Sequence, residues 1–145
     1  MSFQLSFFRF SAWEYNEERG QFYLHQFVEK QPDFDYRNPL VIQEMQDIYT
    51  YWMDLGVDGF RVDAVRIHWP VHVHMDKVSF YLSKVLYAVE DEQLRDEPLS
   101  GTTEDLDDYT SLHHIYTYDQ PETRDVLAAF HQTIKEYSAA NGYDR

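Results

Sequence analysis

The chain has 145 residues, 43% hydrophobic and 17% aromatic, a composition suited to one globular domain and unsuited to a disordered polypeptide. Its net charge of −14 argues against nucleic acid or an anionic membrane surface as a partner, since binding either needs Lys and Arg to neutralise phosphate, and it fits a neutral ligand. With no cysteine, the chain has no disulfide, no thiolate nucleophile and no zinc-thiolate site.

Met1 to Phe10 is apolar but holds Gln4 and Arg9, lacks a basic start and a small-residue cleavage pattern, and is not expected to act as a signal peptide. No apolar run is long enough to span a bilayer. Ser11 to Asp35 follows, rich in aromatics at Trp13, Tyr15, Phe22, Tyr23 and Phe27, with spacings that predict short extended pieces of an irregular subdomain. Asn38 is a good N-cap, Pro39 suits the first helical position, and Val41, Ile42, Met45, Ile48, Trp52 and Leu55 form one apolar stripe, so a helix is expected up to a stop at Gly56. Val57 to Val65 then reads as a short strand, and helix, glycine, strand is half of a β/α repeat. Glu90 to Asp108 is dense in acidic residues and broken by Pro98, Ser100 and Gly101, which predicts a solvated loop with at most short helical turns. A second helix is expected from Pro121, through Val126, Leu127, Phe130, Ile134 and Tyr137, to an end at Asn141-Gly142. No internal repeat is visible.

The informative polar pair is Arg61 and Asp63. Residues two apart on a strand share a face, so opposite charges would lie side by side. An arginine beside a carboxylate keeps it ionised, as a nucleophile attacking an anomeric carbon requires. Spacing alone leaves open a plain salt bridge at a strand end. His68, His72 and His74, with Asp76, have a spacing that could hold a metal, but no second-shell partners are evident and no metal site is assigned. His25, His113, His114 and His131 are read as packed or solvated rather than catalytic.

Val57-Asp58-Gly59-Phe60-Arg61-Val62-Asp63-Ala64-Val65 resembles the fourth-strand motif of the α-amylase family, glycoside hydrolase family 13. Gln31-Pro32-Asp33-Phe34-Asp35-Tyr36-Arg37-Asn38-Pro39 is similar to that family's signature near the end of the domain inserted after strand three, with Asp35 in place of the usual asparagine. Ser11-Ala12-Trp13-Glu14-Tyr15, Phe22-Tyr23-Leu24-His25-Gln26-Phe27, Arg95-Asp96-Glu97-Pro98 and His114 to Glu122 resemble the insect maltase and α-glucosidase branch.

The resemblance implies an α/β fold, an internal fragment of a (β/α)₈ barrel around strand four with part of the inserted irregular subdomain. Residues 1–37 would end that subdomain, and 38–145 would form barrel helix three, strand four, a long loop and helix four, with an atypical insertion at about 65–84. It implies retaining hydrolysis of terminal α-linked glucose, with Asp63 as nucleophile, Arg61 as its orienting partner and a separate glutamic acid as proton donor. The family's acid glutamate on strand five, the strand-three aspartate and histidine, and the strand-seven histidine and aspartate find no match here, so this chain alone is expected to be inactive. The expected substrate is an α-glucoside or maltose-like oligosaccharide; no cofactor is implied, calcium in the parent enzyme being unsupported by these residues. The parent family implies an extracellular or membrane-anchored location.

One other class, the noncatalytic heavy subunit of amino-acid transporters, is similar in the same segments, and the presence of both Arg61 and Asp63 argues against it. A second alternative is a sugar-binding remnant without chemistry, using the aromatic-rich stretch. Trp13, Phe22 and Tyr23 are expected to fill the subdomain core rather than stack on sugar rings. A lone barrel strand leaves backbone groups unpaired, so poor solubility or a molten state is expected.

Val65 to Lys84 interrupts the family spacing, and deleting these residues restores it. A valine codon begins with GT, Phe80 to Ser83 can be encoded by a pyrimidine-rich tract, and a lysine codon can end in AG, which together fit an unspliced short intron. Amplification of spliced transcript across this junction is expected to yield a product lacking the insertion; its presence in every product would overturn the intron.

Overall fold

The computed structural model describes residues 4–62, 95–118 and 120–143. They fall into two compact units, one of residues 4–34 with 95–117 and the other of 35–62, 118 and 120–143.

In the first unit, β1 (Trp13–Asn16) and β2 (Gln21–Leu24) form an antiparallel hairpin, with Trp13 opposite Leu24 and Tyr15 opposite Phe22. These are the short extended pieces expected from the aromatic-rich stretch. Gln4 and Leu5 run beside the hairpin's entry, where the Ala12 N–H donates to the Gln4 carbonyl and the His25 N–H to the Ala12 carbonyl. Burial deepens away from the turn, so that His25 and Gln26 are buried while Phe22 is 50% exposed. Phe22 therefore does not fill the core: it covers its cross-strand partner Tyr15 at a centroid distance of 5.0 Å, near the solvated end of the hairpin.

The preceding turn, Ser6 to Phe10, holds two successive non-glycine residues in the left-handed region, Arg9 at φ 83° and Phe10 at φ 63°. Such backbone costs about 1 kcal/mol or more per residue. It is held by an ion pair between Arg9 and Asp105 and by a hydrogen bond from the Phe10 N–H to the Asp107 carbonyl at 3.1 Å. The acidic stretch thus packs against the N-terminal residues. Its described part, residues 95–108, is irregular and leads into one 3-10 turn at Tyr109–Ser111, capped by Asp108, whose side chain accepts from the Thr110 N–H and hydroxyl and is held below the usual carboxylate range by those bonds.

The second unit is built on α1 (Pro39–Asp54) and α2 (Pro121–Ala140). Asn38 caps α1 as expected, its side chain accepting from the Leu40 N–H at 3.0 Å, with Pro39 at the first helical position. Both helices end in the same way. Gly56, at φ 91°, lets the Val57 N–H reach the Trp52 carbonyl and its own N–H reach that of Met53; Gly142, at φ 68°, lets Tyr143 and itself reach Ser138 and Ala139. This paired closure satisfies the last carbonyls and needs a left-handed residue at its centre.

The core between the helices is aromatic: Tyr36, Tyr49, Met53, Val126 and Phe130 are buried together. Gln46 donates to the Thr133 hydroxyl at 2.9 Å, and the Tyr137 hydroxyl to Asp54 at 2.6 Å, adding two polar ties. The apolar stripe expected on α1 is divided. Val41, Ile42 and Met45 pack on this core, whereas Ile48, Trp52 and Leu55 are exposed.

The expected strand is not formed over Val57 to Val62, and residues 63–65 lie outside the described part of the chain. A strand needs a neighbour to share its ladder, and among the described residues the only sheet is the β1–β2 hairpin. Replacing Gly56 by Ala should lower stability by about 1 kcal/mol through its left-handed backbone alone, since a Cβ there meets nothing within 4 Å; the midpoint of urea-induced loss of helical circular dichroism is the measurement.

Candidate active site

The segment that carries the sequence-derived site begins where α1 is closed by Gly56. Phe60 folds back onto the helix pair, its ring meeting Tyr49 edge-on at 4.7 Å, and Val62 packs against the same core. Arg61, between them, is exposed. The in, out, in alternation is that of an extended chain even though no ladder forms. Arg61 is thereby held on a two-point apolar anchor, its side chain directed away from the core. Asp63, the expected nucleophile, lies outside the described residues, as do His68, His72, His74 and Asp76. Among the described residues, no group of three His, Asp or Glu could hold a metal.

Of the histidines within the described residues, His25 and His114 are engaged structurally, whereas His113 is exposed. His114 stacks on Tyr109 at 3.6 Å, with its Nε2 2.8 Å from the Tyr109 carbonyl. His25 is buried beside Tyr23, and His131 is half-buried on α2.

Two carboxylates in the first unit were not singled out by sequence reasoning. Glu97 sits in the acidic stretch expected to be solvated, yet it is only 4% exposed. Its oxygens accept from the Tyr116 N–H at 3.0 and 3.1 Å and from the Thr117 hydroxyl at 2.8 Å, so it organises the loop leading to Thr117. Burial raises its pKa, and these bonds pull it back. Arg95, two residues earlier, lies 4.0 Å over the Tyr116 ring. An acidic run carries no periodicity, so burial of Glu97 is not readable from pattern; the only mark on it in the sequence is its place in the family-like segment Arg95-Asp96-Glu97-Pro98.

Asp33 belongs to the Gln31 to Pro39 signature. Its carboxylate accepts from the Gln26 N–H at 3.0 Å and its own N–H donates to the Leu24 carbonyl at 2.9 Å, which closes the loop after β2 from both sides. Burial pushes its pKa up to about 6, against the opposing pull of hydrogen bonds from the Gln26 backbone and side chain. Later in the signature, Asp35 accepts from the Arg37 N–H at 3.0 Å, Tyr36 enters the aromatic core and Asn38 caps α1.

A carboxyl whose folded pKa is raised favours the protonated form. Asp33 therefore contributes stability that is fully present below about pH 4 and is lost as pH rises through about 6, on the order of 2–3 kcal/mol. Asp33→Asn, which keeps an acceptor for Gln26 without the charge, should be more stable than the parent above pH 6 and equal to it near pH 4, by urea denaturation at the two pH values. A gain of the same size at both would show that the charge is not the cause.

The model of the family described as alpha amylase, catalytic domain, matches residues 3–143. Maltase 1 of Drosophila virilis is 44% identical over 137 residues, 94% of this chain and 18% of that protein. Salivary alpha-glucosidase of Aedes aegypti is 43% identical over 141 residues, 97% of this chain and 22% of that protein. A human protein, amino acid transporter heavy chain SLC3A1, is more distant, at 34% over 141 residues, 95% of this chain and 18% of that protein. Among solved structures, the alpha-glucosyl transfer enzyme XgtA superposes with a TM-score of 0.71 at 30% identity, over 94% of this chain and 23% of that one. The chain thus spans about a fifth of the length of the curated relatives it matches.

Proposed function

Because the chain belongs to the α-amylase catalytic-domain family, we propose that it is part of a retaining α-glucosidase that releases terminal α-linked glucose, with Asp63 as nucleophile and Arg61 as the residue that orients it. The observation that carries this reading is the identity to a maltase and to an α-glucosidase across more than nine-tenths of the chain. The local geometry supports it: Phe60 and Val62 are anchored, so Arg61 is presented outward from a fixed point on the α1–α2 pair. Within this reading, residues 1–37 complete the inserted subdomain and 38–145 supply the barrel segment around strand four.

In the first step the Asp63 carboxylate attacks the anomeric carbon as the bond to the leaving oxygen breaks. A second carboxylic acid delivers the proton to that oxygen, and water then releases glucose from the glycosyl-enzyme. Arg61 keeps the attacking carboxylate ionised and lowers its freedom to rotate. A single carboxylate cannot be nucleophile and acid at once, and only the nucleophile is matched in this chain, so by itself it should show no turnover. The substrate is an α-glucoside or a maltose-like oligosaccharide, and the salivary relative supports a secreted parent enzyme. No helix among the described residues is long and apolar enough to cross a membrane.

The transporter heavy chain supports a second, noncatalytic reading. The presence of both Arg61 and Asp63 favours the enzyme. Hydrolysis of a chromogenic α-glucoside separates the two. The chain alone should be inactive; a chain extended at both ends from genomic sequence and lacking residues 65–84 should be active, and Asp63→Asn in that background should lose roughly 10³-fold or more. Inactivity of the extended chain would favour the noncatalytic reading.

A further inference from the structure

Three asparagines occur in the sequence, and their local chemistry differs sharply. Loss of an asparagine side-chain amide begins when the next residue's backbone nitrogen attacks the side-chain carbonyl carbon, so it needs a following N–H and little steric bulk. Asn38 precedes Pro39, which has no N–H, and its side chain is engaged as the α1 cap. Asn16 precedes Glu17, whose Cβ crowds the attack, and its Oδ1 accepts from the Arg19 N–H at 2.8 Å. Asn141 precedes Gly142, which offers an N–H without a Cβ, and both residues are exposed.

The closure of α2 restrains that reaction. The Asn141 Nδ2 donates to the Tyr137 carbonyl at 2.9 Å, and the Gly142 N–H donates to Ala139 at 3.4 Å. Both reacting groups are therefore tied to the last turn, and the attack requires that turn to open. Helix ends open at small free-energy cost compared with core turns. We propose that Asn141 is a site of spontaneous deamidation, with water as co-reactant, whose rate is set by fraying of the C-terminal turn of α2.

The Gly142 nitrogen bonds to Asn141 Cγ, the Cγ–Nδ2 bond breaks and ammonia leaves with the proton from Gly142 nitrogen. Water then opens the resulting succinimide at either carbonyl, giving aspartate or isoaspartate. The product places a carboxylate at the negative end of the α2 dipole and removes the donor to Tyr137. Tyr137 also ties α2 to Asp54 of α1 and stacks on Tyr143, so the change falls on the turn that links the two helices. An isoaspartate would also insert a methylene into the backbone at the cap and end the paired closure on Gly142.

Peptide mass spectrometry on the full chain, incubated at mildly alkaline pH with and without concentrated urea, tests this. A mass gain of about one dalton should accumulate at the peptide containing Asn141, with an isoaspartate isomer resolved, and should rise about tenfold or more in rate in urea. Asn141→Gln should suppress the gain. No gain at this peptide in either condition would overturn the site, and equal rates with and without urea would overturn its control by the helix end.

Discussion

Phe130 of α2 is the contact on which the second unit is organised. Its ring meets Tyr36 at 6.2 Å and Tyr49 of α1 at 5.2 Å, and Tyr49 in turn meets Phe60. Large aromatic side chains bury much area at low rotamer cost and prefer the edge-to-face geometry seen in all three pairs. The segment holding Arg61 therefore owes its position to an aromatic cluster assembled from two helices distant in sequence. Tyr49 shows the same burial electrostatically, its hydroxyl pushed up to about 12 by desolvation.

The first unit has a different economy. It contains little regular structure, and its order comes from side chains that satisfy irregular backbone. Asp33 closes the loop after β2, Glu97 gathers the N–H groups before Thr117, and the hydroxyls of Ser100 and Thr102 both donate to the Thr110 carbonyl at 2.5 and 2.6 Å. Buried carboxylates in such roles cost desolvation and are offset by several hydrogen bonds each. Sequence rules that treat a charge run as solvent-facing fail at Glu97 for this reason.

Membership of the α-amylase catalytic-domain family and the comparison with XgtA make the chain a segment of that fold. The two helices and their caps are recognisable from sequence because caps and left-handed glycines are local devices. The β1–β2 hairpin was legible only as extended aromatic pieces, since its pairing depends on which residues come to face each other. Half of the candidate site, Arg61, is placed by the structure; Asp63 falls outside the described residues and rests on the motif.

The sequence by itself determined the α1 cap at Asn38, the closures at Gly56 and Gly142, the helical spans and the family motifs. These depend on interactions within a few residues, or on an ordered string of residue types, and need no knowledge of what lies nearby in space. Tertiary structure decided which half of the α1 stripe packs on the core, that Phe22 stays at the surface, that Glu97 and Asp33 are enclosed, and that Val57 to Val62 is anchored at Phe60 and Val62 without becoming a strand. Each of those outcomes depends on a partner from elsewhere in the chain: Phe130 for α1, Tyr116 and Thr117 for Glu97, Gln26 for Asp33, and for the would-be strand a neighbour that the described residues do not supply.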